Sequence, residues 1–357
     1  MIDEIYDRGG DDIPLELALI SALGFANGTR TTNAILAHNP LWTRSTPRFK
    51  IWTDIARLAA RKNILIHPDT HVGKAQSCCS HTDGNAWFDD VNFPVANWKR
   101  GLSYVANWAK NHTNIVSMSL RNAPRESYLR PGLEYNWPTF VGNMTAGADA
   151  IHAANPDLLI TWSGLQFGQD LSALTSNNKN LLAAPCYKCT AIRDAYRQPP
   201  RYFSLGNQTW ADKIVWELSL YSESEDLDTG SCRIIEAGLY RNGFNALGIP
   251  PPAACNVTSD CPAASRLTPV ILGEFGHAQD GTLETDVVQG CLQEFTKRYG
   301  VSWAMWSLAG SWRVKDGMQG VEDSWGLMNG NWSGWRYEKG IEGVWKPWVK
   351  AMGVSKP

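Results

Sequence analysis

The 357-residue chain is 43% apolar and 19% charged, so it can bury a sizeable core and is not composed like a disordered polymer. Its net charge of -2 excludes the basic footprint of a nucleic-acid binder, and no apolar run is long enough to span a membrane.

Residues 1–48 are rich in Gly, Asn, Thr and Pro and predict loop with one short helix, Pro14 to Leu23. From there onward, helical and strand-like segments alternate. Ile51, Ile55, Leu58 and Ala59 fall on one face and predict a helix over Phe49 to Lys62, followed by a short apolar strand, Asn63 to His67. A helix over Ala96 to Lys110 precedes the strand Asn114 to Leu120, and a helix over Trp137 to Ala154 precedes Leu158 to Trp162. The strand Lys213 to Leu218, a helix near Arg233 to Arg241, the strand Val270 to Gly273, a helix from Glu284 to Arg298 and the strand Val301 to Ser307 complete the order. Strands without polar alternation, separated by helices, argue a parallel sheet covered on both faces. Residues 226–267, with Gly248-Ile249-Pro250-Pro251-Pro252, read as a loop and helix insertion rather than a linker, so the expectation is a single domain over 1–357.

The eight cysteines include one C-x-x-C, Cys186 to Cys189, with no second ligand pair at zinc spacing, so no metal site is expected. Cys255 and Cys261 flank a short polar loop and read as a local disulfide, with free buried thiols as the alternative. Six N-x-S/T sequons, at Asn27, Asn111, Asn143, Asn207, Asn256 and Asn331, together with the cysteines, point to an extracellular protein. The acidic opening Met1 to Arg8 has no apolar stretch of the signal-peptide kind.

Two strand ends carry the chemistry. The strand ending at Leu120 runs into Arg121-Asn122-Ala123-Pro124-Arg125, and Val270-Ile271-Leu272-Gly273 delivers Glu274-Phe275-Gly276. A strand ending in Asn-Glu-Pro and a later one ending in Gly-Glu-Phe-Gly are how retaining glycoside hydrolases of family 5 present their two carboxylates. From about residue 50 onward the chain resembles that family, in a cellulase-like branch of plants and fungi. The branch likeness also rests on Cys78-Cys79-Ser80-His81-Thr82-Asp83-Gly84-Asn85 and Val321-Glu322-Asp323-Ser324-Trp325-Gly326-Leu327.

The resemblance implies a (β/α)₈ TIM-barrel fold. Six strands are legible where the barrel has eight, and the first two are the ones expected to be missing, which would leave two sheet edges and an open core. It also implies that Glu274 is the nucleophile and that Ala123 occupies the position of the acid/base, whose carboxyl is absent. His71, at the end of Asp69-Thr70-His71, and Asn122 are expected to line the sugar cleft. Tyr221, in Trp216-Glu217-Leu218-Ser219-Leu220-Tyr221-Ser222, is expected to steady the nucleophile, and Trp306 to form the cleft floor. Ser219 stands where the family has His, and Ser77 where the branch has Trp. Trp312 and Trp325 are candidates for further stacking surface, since an indole face matches the C–H face of a pyranose.

The expected activity is retaining hydrolysis of β-linked glucan or a related oligo- or polysaccharide by a monomer that needs neither cofactor nor nucleic-acid or membrane partner. Turnover should be impaired, because general acid help is typically worth about 10²–10⁴ in rate. Two alternatives stand beside it: a carbohydrate-binding pseudoenzyme, and a chain that does not fold stably.

Overall fold

The computed structural model describes residues 12–74, 76, 78–182, 199–222, 231–256, 261–315 and 318–353. Met1 to Tyr6, Ser77, the Cys186–Cys189 pair and the side chain of Trp312 therefore lie outside the described residues.

Four strands form a parallel sheet in sequence order: β1 (Ser117–Ser119), β2 (Leu159–Ser163), β3 (Ile214–Leu220) and β4 (Val270–Phe275). The expected strands at either side are reduced to single parallel bridges, Ile66 to Ile115 and Leu272 to Trp303. Their backbones nonetheless run alongside the sheet. Ile66 and Pro68 exchange hydrogen bonds with Asn114, Val116 and Ser119 on one side, and Leu272 bonds to Ser302 and Ala304 on the other. The result is an arc of six parallel segments, a partial (β/α)₈-type barrel. Among the described residues no strand covers the outer edge of the 63–67 segment, where Ile64 and Leu65 are exposed. A two-stranded antiparallel ribbon, β5 (Ser311–Lys315) with β6 (Met318–Glu322), follows the arc and was not legible as strands in the sequence.

Helices flank the arc. In chain order they are α1 (Leu15–Leu23), α2 (Phe25–His38), α3 (Arg48–Arg61), α4 (Val95–Ala109), α5 (Trp137–Ala154), α6 (Cys232–Asn242) and α7 (Val287–Tyr299), before a C-terminal helical segment, 338–351. α5 starts where the Asn136 side chain accepts from Thr139 N and Pro138 sits in the first turn. It packs on α4 because Gly147 leaves room for the Trp98 indole, whose Nε1 donates to the Leu120 carbonyl. Trp162, Trp210 and Trp216 interlock beneath the helices, as do Phe275, Trp303, Trp345 and Trp348. Much of the tryptophan content is thus core.

Two expectations need correction. The loop expected through residue 48 contains the second helix α2, despite its Gly, Asn and Thr content. Gly28 lets α2 lie directly on α1, and Thr32 Oγ1 folds back onto the Gly28 carbonyl instead of competing with the helix. The helix expected from Glu284 begins at Val287, because Asp286 caps it by accepting from Gln289 N. Two disulfides tie the helical layer, Cys255–Cys261, as the loop suggested, and Cys232–Cys291, which joins α6 to α7.

A methyl at position 28 would lie 2.5 Å from the Ile20 Cα. Gly28→Ala should therefore push α1 and α2 apart and cost about 1–2 kcal/mol net of the better helix propensity of alanine, read as a lowered thermal midpoint.

Candidate active site

Side chains on each strand alternate between two faces. Ile160, Trp162, Trp216 and Leu218 are buried toward the helices. The other parity, on the concave face, is polar: Ser117 and Ser119 on β1, Thr161 and Ser163 on β2, Glu217 and Ser219 on β3. A complete barrel of this type fills its interior with bulky branched side chains. Here the interior is hydroxyl-rich and open on one side, and the Asp69 side chain remains 38% exposed.

Glu274 reaches the rim at the end of β4. Between Leu218 and Ser219 the register of β3 shifts against β4, so that Ser219 pairs with Glu274 and Gly273 is the extra residue. Such a bulge re-aims the residue that follows. Gly276, after Phe275, is required by close approach: a methyl there would lie 2.1 Å from the Trp306 carbonyl oxygen.

Tyr221 Oη donates to Glu274 Oε1 at 2.7 Å. Burial raises the Glu274 pKa against the opposing effects of His71 and Tyr221, and burial together with the Glu274 charge pushes the Tyr221 phenol up. The hydrogen bond holds the carboxyl in one orientation at the strand end.

His71 donates from Nδ1 to Asp69 at 2.8 Å, and its ring lies flat on Trp306, with centroids 5.0 Å apart and planes 4° from parallel. Burial pulls the His71 pKa down, and the Asp69 hydrogen bond with the charges of Asp69 and Glu274 outweighs it, so the net shift is upward. Asp69, which also accepts from Ser119 Oγ, is raised by burial but lowered overall by His71. Asn122 lies close by: its Nδ2 is 3.5 Å from His71 Nε2 and 3.8 Å from each sulfur of the Cys78–Cys79 disulfide.

The structure thus brings His71, Asn122, Tyr221, Glu274 and Trp306 to one rim. Ala123 is beside them at the end of β1, buried, with φ +43° and its carbonyl accepting from Arg125 Nη1. It offers a methyl where a proton donor is expected. Trp306 gives one face to His71. Ser219 is not at an open surface, because Gly168 (φ +84°) folds over it, and a methyl at 168 would lie 2.7 Å from its hydroxyl. Trp325 packs edge-on against Tyr221.

Three features were not anticipated from sequence. Asp69 orients His71, the ring stack joins the two ends of the arc, and Glu217 is a carboxyl on the inner face. The signal for Glu217 was present: it is a charged residue in an apolar strand, on the same alternation as Ser219 and Tyr221. Among the described residues no cluster of His, Cys, Asp and Glu is arranged to hold a metal.

No protein-family profile matches the chain. A "Glycosyl hydrolase 5 family protein" from Chamaecyparis obtusa is 28% identical over 277 residues, 76% of this chain. In sequence and in fold the chain is similar to glycoside hydrolase family 5. It spans only 42% of the length of that relative. Among solved structures, the cellotetraose complex of a Glu-to-Ala variant of an endocellulase from Pyrococcus horikoshii superposes with a TM-score of 0.54 at 15% identity, covering 89% of this chain and 77% of that one. A β-glucanase from Saccharophagus degradans gives 0.50 at 12% identity, covering 84% and 71%. At these identities the family 5 structures establish a shared fold.

If Asp69 sets the charge of His71, Asp69→Asn should return the His71 pKa to the ordinary value of 6.5 or below, since burial is then opposed only by Glu274. Imidazole proton resonances followed against pH would read it directly.

Proposed function

We propose that this chain is a glycoside hydrolase of the family 5 type, with a cleft for β-linked glucan and Glu274 as its nucleophile. The observation that carries the reading is the Tyr221 to Glu274 hydrogen bond at the C-terminal end of a parallel arc, with Asn122 and the His71–Trp306 pair on the same rim. A retaining mechanism needs a second carboxyl, first as acid and then as base. Position 123 has none, so attack by Glu274 should succeed only on a leaving group that departs without a proton. Natural polysaccharide should turn over little or not at all.

The site supports binding in either case. Asn122 offers an amide to a sugar hydroxyl, and Trp306 places an aromatic ring on the same rim. Disulfides on the helical layer and beside the site are compatible with a secreted protein. One domain, acting as a monomer, is the simplest organisation. The second reading, sugar binding without chemistry, is favoured by the covered Ser219: a histidine there would meet the Gly168 backbone, so more than one substitution separates this site from a complete one.

Incubation with a dinitrophenyl 2-fluoro-β-cellobioside tests the proposal, because that reagent needs no acid assistance. The expected result is a mass gain of one glycosyl unit on the peptide containing Glu274. Ala123→Glu adds no backbone strain that Ala123 does not already bear, since both residues carry a Cβ at φ +43°. It should raise hydrolysis of unactivated β-glucoside by about 10²–10⁴. Glucan binding with no labelling in either protein would select the pseudoenzyme.

A further inference from the structure

Glu217 has no part in the reading above, yet it stands on the inner face of β3 next to the bulge that aims Glu274. Its register partner on β4 is Ile271, and its side chain occupies the space that a residue larger than glycine would fill at 273: a methyl there would lie 2.3 Å from Glu217 Oε1. The carboxyl thus lies against the backbone that immediately precedes the nucleophile.

A hydrogen-bonded chain crosses the sheet to reach it. Ser117 Oγ and His67 Nδ1 are 2.7 Å apart, His67 Nε2 and Thr161 Oγ1 are 3.4 Å apart, and Thr161 bonds to Glu217. His67 thus bridges the hydroxyls of Ser117 and Thr161, and an acid at 217 could give its own proton to Thr161 Oγ1. Glu217 Oε2 is buried and has no hydrogen-bond partner. An anion there would leave a charged oxygen without a donor, whereas an acid would not.

The charged groups facing Glu217 reinforce this. Asp69 and His71 come from the 66–71 segment, Glu274 from β4, and β1 and β2 present only hydroxyls. Tyr221, at the end of β3 itself, is already committed to Glu274. Burial, then the charge of Asp69 and that of Glu274, raise the Glu217 pKa to about 7, against Thr161 and His71, which lower it.

We propose that Glu217 is a positioning residue for Glu274: a carboxylic acid held neutral in the sheet interior, which leaves the nucleophile as the anion beside the bulge. The proposal rests on the glycosidase reading of Glu274. When Glu217 loses its proton, a second anion without a donor for Oε2 stands against Gly273. Water must enter or the strand must shift, and either moves Glu274 off Tyr221.

Infrared difference spectroscopy against pH, paired with the 2-fluoro-cellobioside labelling rate, tests it on the intact chain. The wild type should show a protonated-carboxyl stretch that disappears around pH 7, with a change in Tyr221 absorbance over the same range. Labelling should fall by roughly ten-fold or more across that transition. In Glu217→Gln the band should be absent and the labelling rate should stay level through the same range. Gly273→Ala keeps every site residue and displaces the Glu217 side chain, so it should shift the band and the labelling profile together. A wild type without the band, or a Glu217→Gln protein with the same band and the same decline, overturns the proposal. A band that titrates with Tyr221 while no protein is labelled at any pH would uphold the positioning role and reject the glycosidase reading instead.

Discussion

The flat stack of His71 on Trp306 is the contact on which the rim depends. His71 ends the first segment of the arc and Trp306 ends the last, so one ring pair joins two edges that no strand connects among the described residues. Asp69 fixes the His71 ring from below, and the Trp306 amide donates to the Phe275 carbonyl, next to Glu274. Glu274 is thereby held from both sides, by Tyr221 just beyond β3 and by the backbone of the 301–306 segment. A carboxylate, an imidazole and an indole do at the mouth what backbone pairing does along the strands.

The open side explains the chemistry of the concave face. An apolar interior facing a gap would expose a large apolar surface and attract edge-to-edge association. The inner positions are instead Ser, Thr, His, Asp and Glu, which tolerate water and bond to one another across strands. Stability is supplied from the other side, where tryptophans and helices α4, α5 and α7 bury the convex face and the Cys232–Cys291 disulfide joins α6 to α7. The arc is anchored from outside and polar within.

Two positions differ from what the family 5 resemblance led one to expect. At β1 the expected acid is a methyl in a left-handed backbone conformation, buried and held by Arg125. At β3 the expected imidazole is a hydroxyl, and the space it would need is taken by the loop around Gly168. Position 219 is covered by Gly168, whereas Tyr221 and Glu274 are in contact.

Periodicity was enough to place α3 to α7 and the order of the parallel segments, because burial of one helical face or of both strand faces writes itself into the spacing of apolar residues. Strand-end motifs likewise marked Glu274, Tyr221, Asn122 and His71, since residues at the C-terminal ends of parallel strands converge whatever lies between them. Local signals could not foresee α2, whose Gly and Thr positions serve a helix only when α1 packs on them, or the ribbon of β5 and β6. Nor could they foresee that His71 would meet Trp306 across more than 200 positions of sequence, that Gly168 would cover Ser219, or that Gly273 is small because Glu217 needs its space. Those facts depend on which segments become neighbours, and only the folded chain decides that.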